Sequence, residues 1–298
     1  MHKIKRIHIE ISTMCNSQCI TCPQSFIKRP KLIDVERVKR LITEDCLVYR
    51  DSLTVFEFHN YNEPFLTFEL FYELALLVNE VYGKEKVGVV TNGSVMSEEI
   101  ANKLLDLNLA YLYFSLDGLS KEVFEAHRVG LEYETVYRNV LFFIKRCEAL
   151  YFLTGEALSP YVSFVITPRN QHEIEGFKQF FANRWCRVSF QDCDGRGGRM
   201  GKEDCLHIIS SEQECDYAMD GVYVLSNLDV VPCCEDWEGI EVMGNLKAQT
   251  LTEIVNGERY NDFRLKQTTG RKKEIPLCRD CKTNMIYNYP RSFLKRGD

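Results

Sequence analysis

Residues 7–11 read IHIEI, and residues 15–22, shortly after them, read CNSQCITC. The alternating isoleucines predict a β-strand, because successive side chains of a strand point to opposite faces. Cys15, Cys19 and Cys22, which we call the cysteine triad, therefore follow the carboxyl end of the first strand. Three thiolates on one short loop can ligate three corners of a [4Fe–4S] cluster and leave its fourth iron open for a small chelating molecule.

A structural zinc site is the main alternative for the cysteine triad. Structural zinc is normally held by four ligands, which tend to come in closely spaced pairs. Here three cysteines are separated by gaps of three and then two residues. The number of ligands, their spacing and their position after a strand therefore favour iron–sulfur chemistry over zinc.

The composition narrows the class of protein. The chain has 298 residues, of which 45% are hydrophobic, and this is enough for a sizeable core. A formal net charge of -6 makes nucleic acid an unexpected partner. The sequence contains no run of about 18 apolar residues, so no membrane span is predicted. Residues 1–6 do not resemble the start of a signal peptide. We therefore expect a cytoplasmic protein whose 13 cysteines serve metal binding rather than disulfides.

Strand and helix patterns alternate over the first two-thirds of the chain. After the first strand, further strands are predicted at residues 53–58, 86–90, 110–115, 161–166 and 187–190. Helices are predicted at residues 34–48, 67–83, 96–107, 133–153 and 171–183. This α/β alternation predicts parallel strands, and six units favour an open, partial (β/α)6 barrel over a closed one. The functional side chains of such a sheet lie at the carboxyl ends of its strands.

The pattern changes in the last third of the chain. Residues 194–203 are glycine-rich and charged, which predicts a linker or a flexible loop. Residues 221–232 then predict a hairpin, and short helices follow it. We therefore expect two domains, a barrel over residues 1–204 and a small α+β domain over residues 205–298.

The C-terminal region holds a second group of cysteines. This auxiliary set consists of Cys215, Cys233, Cys278 and Cys281. Four thiolates from separated segments can fully ligate one more [4Fe–4S] cluster. A zinc ribbon is the alternative, because the spacing alone does not separate iron from zinc. Cys234 adjoins Cys233, so either residue could be the ligand, and the other would then be a small buried hydrophobe or a reactive thiol.

The order of these motifs resembles that of the radical S-adenosylmethionine (radical SAM) superfamily. The positions that match the family's SAM-binding motifs are Asn62, Glu63, Thr91, Asn92, Ser115, Asp117 and Arg128. The resemblance implies that Glu63 binds the SAM amino group and that Arg128 lies near the SAM carboxylate. It also implies that Ser115 and Asp117 face the ribose or the substrate. Thr21 stands where the family usually has an aromatic residue, so packing against adenine must come from elsewhere.

The C-terminal third resembles the SPASM/Twitch auxiliary-cluster domains. Residues 233–236 and 244–246, followed by a short helix and the last two cysteines, carry this resemblance. The cysteine spacing is similar to that in the aminocyclitol dehydrogenases of aminoglycoside biosynthesis. The resemblance implies SAM and two [4Fe–4S] clusters as cofactors, with flavodoxin or ferredoxin as the electron donor. In radical SAM epimerases a thiol donates hydrogen, and Cys234 is the candidate for that role here.

The resemblance also implies an activity. The chain is expected to be an oxidoreductase that makes a 5′-deoxyadenosyl radical and abstracts hydrogen from an unactivated C–H bond. We expect a sugar-like or aminocyclitol-like substrate, with electron transfer to the auxiliary cluster completing a dehydrogenation. The alternatives are an epimerase that uses Cys234, an enzyme that modifies a ribosomal peptide, and a zinc-binding scaffold without enzymatic activity.

Overall fold

Nine strands form one mixed sheet in the computed structural model, which describes residues 2–193, 195–199 and 215–281. The strands are β1 Arg6–Ile9, β2 Val55–Glu57, β3 Val87–Thr91, β4 Tyr111–Ser115, β5 Tyr161–Ile166, β6 Arg187–Asp192, β7 Gly221–Val224, β8 Asp229–Val231 and β9 Gly244–Asn245. Their order in the sheet is β6-β5-β4-β3-β2-β1-β7-β8-β9. Neighbours from β6 to β7 pair in parallel, whereas β8 is antiparallel to β7 and to β9. The predicted partial barrel of parallel strands is therefore confirmed.

Helices pack against one side of the parallel strands. The α-helices are α1 Val35–Arg40, α2 Phe68–Tyr82, α3 Glu98–Asp106, α4 Lys121–His127, α5 Tyr133–Thr154, α6 Ile174–Phe181, α7 Gly195–Gly198, α8 Asp216–Asp220, α9 Leu251–Val255, α10 Glu258–Thr268 and α11 Pro276–Arg279. Ile7 and Ile9 of β1 share the main hydrophobic core with Leu74 and Val78 of α2. In the part of the chain that the structure describes, no helix is long and apolar enough to cross a membrane.

The opposite side of the parallel strands is polar and aromatic. His8 of β1 and Glu57 of β2 are register partners, and side chains alternate along a strand. These two side chains therefore point away from the core that holds Ile7. Further along the sheet, Tyr113 of β4 stacks on Tyr161 of β5 with ring centroids 4.3 Å apart. The inner side of the barrel is thus lined by titratable and hydrogen-bonding groups.

Several predicted boundaries differ from the observed ones. The helix predicted over residues 34–48 is α1 followed by a π turn at Leu41–Asp45 and a 3-10 turn at Leu47–Tyr49. The amide of Cys46 donates to Leu41 O, five residues back, and this wider turn interrupts the α-helical pattern. Neither α4 nor β9 is predicted from the sequence, because both are short and lack a clear hydrophobic period.

The C-terminal region continues the barrel sheet. β7 pairs in parallel with β1 over four residues. Glu10 is fully buried at the end of β1, where it binds Arg29 at 2.7 Å and accepts a hydrogen bond from the amide of Ser226. The predicted boundary between residues 204 and 205 lies outside the described residues, so the division into two domains stays a prediction.

Candidate active site

The loop after β1 carries the cysteine triad. Two backbone hydrogen bonds hold this loop against the segment that ends α4. The amide of Gln18 donates to Val129 O at 2.8 Å, and that of Ile20 donates to His127 O at 3.1 Å. The three thiols remain partly exposed. The loop therefore presents three sulfur atoms at the edge where the parallel strands end.

One sulfur of the triad has a charged neighbour. Arg128 Nη1 donates to Cys19 Sγ at 3.4 Å, and Ser17 Oγ lies 3.0 Å from the same sulfur. Arg128 Nη2 is 2.5 Å from Asp117 Oδ2, while Asp117 Oδ1 accepts from the amide of Val165 at 2.7 Å. The guanidinium of Arg128 therefore lies where it can offset the negative charge of a sulfur that ligates iron. Two residues predicted for the SAM site thus form an ion pair next to the triad.

The triad and the auxiliary set suit clusters better than single ions. Burial raises the pKa of the Cys15 thiol to about 12 and also raises that of Cys22, so metal binding must displace these protons. A tetrahedral zinc ion with Zn–S bonds of about 2.3 Å requires sulfur atoms about 3.8 Å apart. Among the described residues, neither set gathers three sulfur atoms within 4.8 Å of one another. This wider spacing is compatible with a cubane.

Glu63 lies between the cysteine loop and the end of β3. Its Oε1 accepts from Thr91 Oγ1 at 2.7 Å and from the amide of Phe65 at 3.1 Å, and its Oε2 accepts from the amide of Asn92 at 2.7 Å. Burial raises the pKa of Glu63 to about 7, and these donors lower it only in part. A carboxylate offers about four acceptor positions, so one remains for an incoming donor. A cationic amino group would fit this site.

Two asparagines connect the same strand ends. Asn92 Nδ2 donates to Asn16 Oδ1 in the cysteine loop at 2.9 Å. Asn62 Nδ2 donates to Ser12 Oγ at 3.4 Å, so its side chain is turned toward the end of β1. Ser115 ends β4 and is half-buried. Asn62, Asn92 and Ser115 therefore lie at or beyond the carboxyl ends of β2, β3 and β4, and Asn92 contacts the loop of the triad.

The auxiliary set is assembled from three separate segments. Cys215 precedes α8, Cys233 follows β8, and Cys278 and Cys281 lie in and after α11. Burial raises the pKa of Cys278 to about 12, and the neighbouring thiols of Cys281 and Cys215 raise it further. The pKa of Cys233 is raised well above its usual range by Cys234, by burial and by Cys215. Electrostatic effects thus connect Cys215 with both Cys233 and Cys278, and connect Cys281 with Cys278.

Two of the auxiliary sulfur atoms accept hydrogen bonds. Gln267 Nε2 donates to Cys278 Sγ at 3.2 Å, and the amide of Glu235 donates to Cys233 Sγ at 3.4 Å. Hydrogen bonds to ligating sulfurs are one of the ways in which proteins set the potential of a cluster. The surroundings therefore fit an iron–sulfur cluster held by this set.

One arginine connects the triad loop with the auxiliary segment. Arg196 Nε donates to Thr21 O, beside Cys22, at 3.2 Å, and Arg196 Nη1 lies 3.3 Å from Glu235 Oε1. The Arg196 guanidinium also lies over the ring of Tyr61, 5.8 Å from its centroid. Tyr61 Oη in turn donates to Cys234 O at 2.6 Å. Contacts of Arg196 and Tyr61 thus connect the loop of the triad with the segment that follows Cys233.

Sequence reasoning missed these residues. Tyr61 is two residues before Glu63, and Glu235 is two residues after Cys233. Their closeness in sequence to predicted site residues is the only feature that could have identified them. Arg196 lies in the glycine-rich stretch that was predicted to be a linker or a flexible loop. That prediction is wrong for residues 195–198, which form the short helix α7. The remainder of the predicted linker falls largely outside the described residues.

Two regions of the chain match known protein families, and nearly the whole chain is similar to a known enzyme. Residues 9–155 match the radical SAM superfamily, and residues 215–282 match SPASM, an iron–sulfur cluster-binding domain. The chain is 22% identical over 289 residues to the S-adenosyl-L-methionine-dependent 2-deoxy-scyllo-inosamine dehydrogenase of Niallia circulans, covering 92% of this chain and 91% of that enzyme.

Solved structures share the fold. The crystal structure of BtrN in complex with AdoMet and 2-DOIA has a TM-score of 0.66 at 19% identity and covers 95% of each chain. SuiB of Streptococcus suis, bound to its precursor peptide SuiA, has a TM-score of 0.70 at 12% identity and covers 89% of this chain and 67% of SuiB.

The chain carries a radical SAM domain, matched over residues 9–155, and a SPASM domain, matched over residues 215–282. The predictions of SAM, a [4Fe–4S] cluster and auxiliary iron–sulfur binding are thereby confirmed. These domains support a radical SAM enzyme over the alternative of a zinc-binding scaffold without enzymatic activity.

Proposed function

We propose that this chain is an oxidoreductase that dehydrogenates a hydroxyl-bearing carbon of a sugar-like or aminocyclitol-like small molecule. The bridge that Arg196 makes between Thr21 and Glu235 carries the proposal, because it ties the loop of the triad to the segment of the auxiliary set that contains Cys233. The similarity to an aminocyclitol dehydrogenase over nearly the whole length of both chains supports it further. Flavodoxin or ferredoxin stays the predicted electron donor.

The residues of the triad side would bind and orient SAM. The triad would hold three irons of the first cluster, and Glu63 would accept a hydrogen bond from the SAM amino group. Arg128 keeps a positive charge beside Cys19 and is itself fixed by Asp117. When bound, SAM and this cluster supply the 5′-deoxyadenosyl radical, which removes a hydrogen atom from a C–H bond.

The residues that connect the triad loop with the auxiliary segment, Arg196, Glu235 and Tyr61, would bind the substrate. Arg196 and Glu235 offer a cation and a carboxylate 3.3 Å apart, and only 1% of the Glu235 side chain is exposed. Paired donors and acceptors of this kind suit hydroxyl and amino groups on adjacent ring carbons. Tyr61 lies beside this pair and donates a hydrogen bond to the backbone carbonyl of Cys234. A dehydrogenation also needs an electron acceptor, and the auxiliary set would hold it.

An epimerase is the second candidate, because of one contact. Cys234 Sγ lies 3.9 Å from Glu235 Oε1, on the residue that binds Arg196. A thiol beside the proposed substrate-binding residues could return a hydrogen atom to a substrate radical. The product would then differ from the substrate in configuration and not in mass.

The test is an anaerobic reaction with reconstituted protein, SAM, dithionite and a panel of aminocyclitols and amino sugars in heavy water. A dehydrogenase gives 5′-deoxyadenosine together with a product about two daltons lighter than the substrate. A product of unchanged connectivity that has gained one deuterium identifies an epimerase instead. Production of 5′-deoxyadenosine with a peptide, and with none of the small molecules, would refute the proposed substrate class.

Matched variants separate the two roles. Cys278→Ala together with Cys281→Ala should preserve SAM cleavage and abolish the oxidised product, because the electron acceptor loses two ligands. Cys234→Ala should leave a dehydrogenase active and should stop an epimerase. Oxidised product at the wild-type rate in the double variant would reject the auxiliary set as the electron acceptor.

A further inference from the structure

Three side chains of metal-ligand type meet inside the barrel, distinct from both cysteine sets. His8 of β1 and Glu57 of β2 are register partners on the inner side of the sheet, and His59 follows β2. His8 Nε2 contacts Glu57 Oε2, and His59 Nε2 lies 3.8 Å from Glu57 Oε1. One ligand atom of each residue lies within 4.8 Å of the other two. Within the described ranges, no other three residues of this type come so close together.

His8 and Glu57 are buried, and His59 is half-buried. Burial lowers the pKa of His59 to about 4, so its imidazole is neutral at physiological pH. Burial alone would raise the pKa of Glu57, but its contact with His8 and the nearby guanidinium of Arg6 bring the pKa below its usual value. Glu57 is therefore a carboxylate. Neutral imidazole and ionised carboxylate are the forms that coordinate a metal.

The surroundings support coordination by Glu57. Tyr111 Oη donates a hydrogen bond to Glu57 Oε1, and hydrogen bonds of this kind commonly orient ligating carboxylates. The His8 ring packs on the Tyr223 ring with centroids 4.5 Å apart, which fixes the imidazole plane. The nearby charge of Arg6 is balanced by Asp220, whose Oδ1 lies 3.2 Å from Arg6 Nη2. Within the group of three residues, Glu57 supplies the negative charge that would offset a bound cation.

We propose that His8, Glu57 and His59 bind one zinc ion inside the barrel. Two imidazoles and one carboxylate form a ligand set that proteins use for zinc, with a further position left for water or another oxygen ligand. Two histidines and a carboxylate can also hold ferrous iron, so metal analysis must distinguish the two metals. The simpler arrangement is a hydrogen-bonded network in which Glu57 accepts from His8 and Tyr111 and no metal binds.

The experiment measures metal in anaerobically reconstituted protein that is dialysed against zinc sulfate and then against metal-free buffer. We expect about one zinc per chain in addition to the cluster iron. His8→Gln, Glu57→Gln and His59→Gln should each lower zinc retention at least tenfold and leave the iron content unchanged. His127→Gln, at a buried histidine bound to Thr167, and His172→Gln, at an exposed histidine, are the controls and should retain zinc.

X-ray absorption at the zinc edge identifies the ligands. Zinc in the proposed site gives nitrogen and oxygen neighbours at about 2.0–2.2 Å, whereas zinc misplaced in a cysteine site gives sulfur at about 2.3 Å. If a ligand variant loses its iron or unfolds, Tyr111→Phe is the milder test, because it removes only the hydrogen bond to Glu57. We expect about tenfold weaker zinc retention in that variant. Wild-type protein without zinc, zinc bound to sulfur, or full retention in the folded ligand variants would overturn the proposal.

Discussion

Replacing Glu63 by glutamine tests the proposed SAM site directly. Glutamine keeps the size of the side chain and removes its charge. Its amide nitrogen would also face the amide of Asn92, which donates to Glu63 Oε2 at 2.7 Å in the wild-type chain. A hydrogen bond to a charged group contributes about 1.5–3 kcal/mol, so the dissociation constant of SAM should rise by about 10- to 150-fold.

The same residue predicts how SAM affinity depends on pH. Burial raises the pKa of Glu63 to about 7, and only the carboxylate attracts the cationic amino group. Below its pKa the group is protonated, so affinity should fall as the pH drops through about 7. The ionised fraction goes from about nine-tenths at pH 8 to about one-tenth at pH 6, which corresponds to roughly a tenfold loss of affinity. Glu63→Gln should show little pH dependence over this range.

Equilibrium dialysis of SAM against anaerobically reconstituted protein measures both effects. Glu173→Gln is the matched control, because Glu173 binds backbone amides at the start of α4 and belongs to no part of the site. Iron content must be equal in the three proteins. Wild-type affinity in Glu63→Gln, or the same pH dependence in both proteins, would refute the role of Glu63.

Three further changes probe the cluster and the fold. Replacing the whole cysteine triad by alanine should remove about four irons per chain and abolish 5′-deoxyadenosine formation, and retained SAM cleavage would contradict the cluster site. Arg37→Met leaves the carboxylate of Asp45 without the guanidinium 2.6 Å away and should cost about 3–5 kcal/mol in urea unfolding. Gly118→Ala puts a methyl group 2.6 Å from the amide nitrogen of Phe124 and should cost about 1–3 kcal/mol, with unchanged stability as the contrary result.

Hydrophobic periodicity explains how much of the fold was predictable. The strand predicted at residues 161–166 coincides with β5, and the helix predicted at residues 133–153 differs from α5 by one residue. Both are regular elements that face one continuous core. Their apolar residues therefore recur with the period of a strand or a helix, which can be recognised in the sequence. The predicted helix at residues 34–48 is divided by a π turn at Leu41–Asp45. The apolar residues of this segment do not reveal the turn in the sequence.

The candidate site was predictable only where motifs are contiguous. The triad and Glu63 lie in short stretches of sequence, where the residue types and their spacing indicate a cluster site and a SAM site. Arg196 and Glu235 are 39 residues apart, and only the fold brings them together. The pairing of His8 with Glu57 depends likewise on the register of β1 and β2, which a single sequence does not specify.

The surroundings of the adjacent cysteines separate their roles. Cys233 Sγ accepts a hydrogen bond from the amide of Glu235, and hydrogen bonds of this type are received by cluster-bound thiolates. Cys234 instead directs its carbonyl to Tyr61 and its thiol toward the Glu235 carboxylate. We therefore propose Cys233 as the ligand that follows β8, and Cys234 as a neighbour of the proposed substrate-binding residues Tyr61 and Glu235. Cys234 can then act on a substrate radical only if electron transfer to the auxiliary set is slower than hydrogen return, so the mass of the product reports which step is faster.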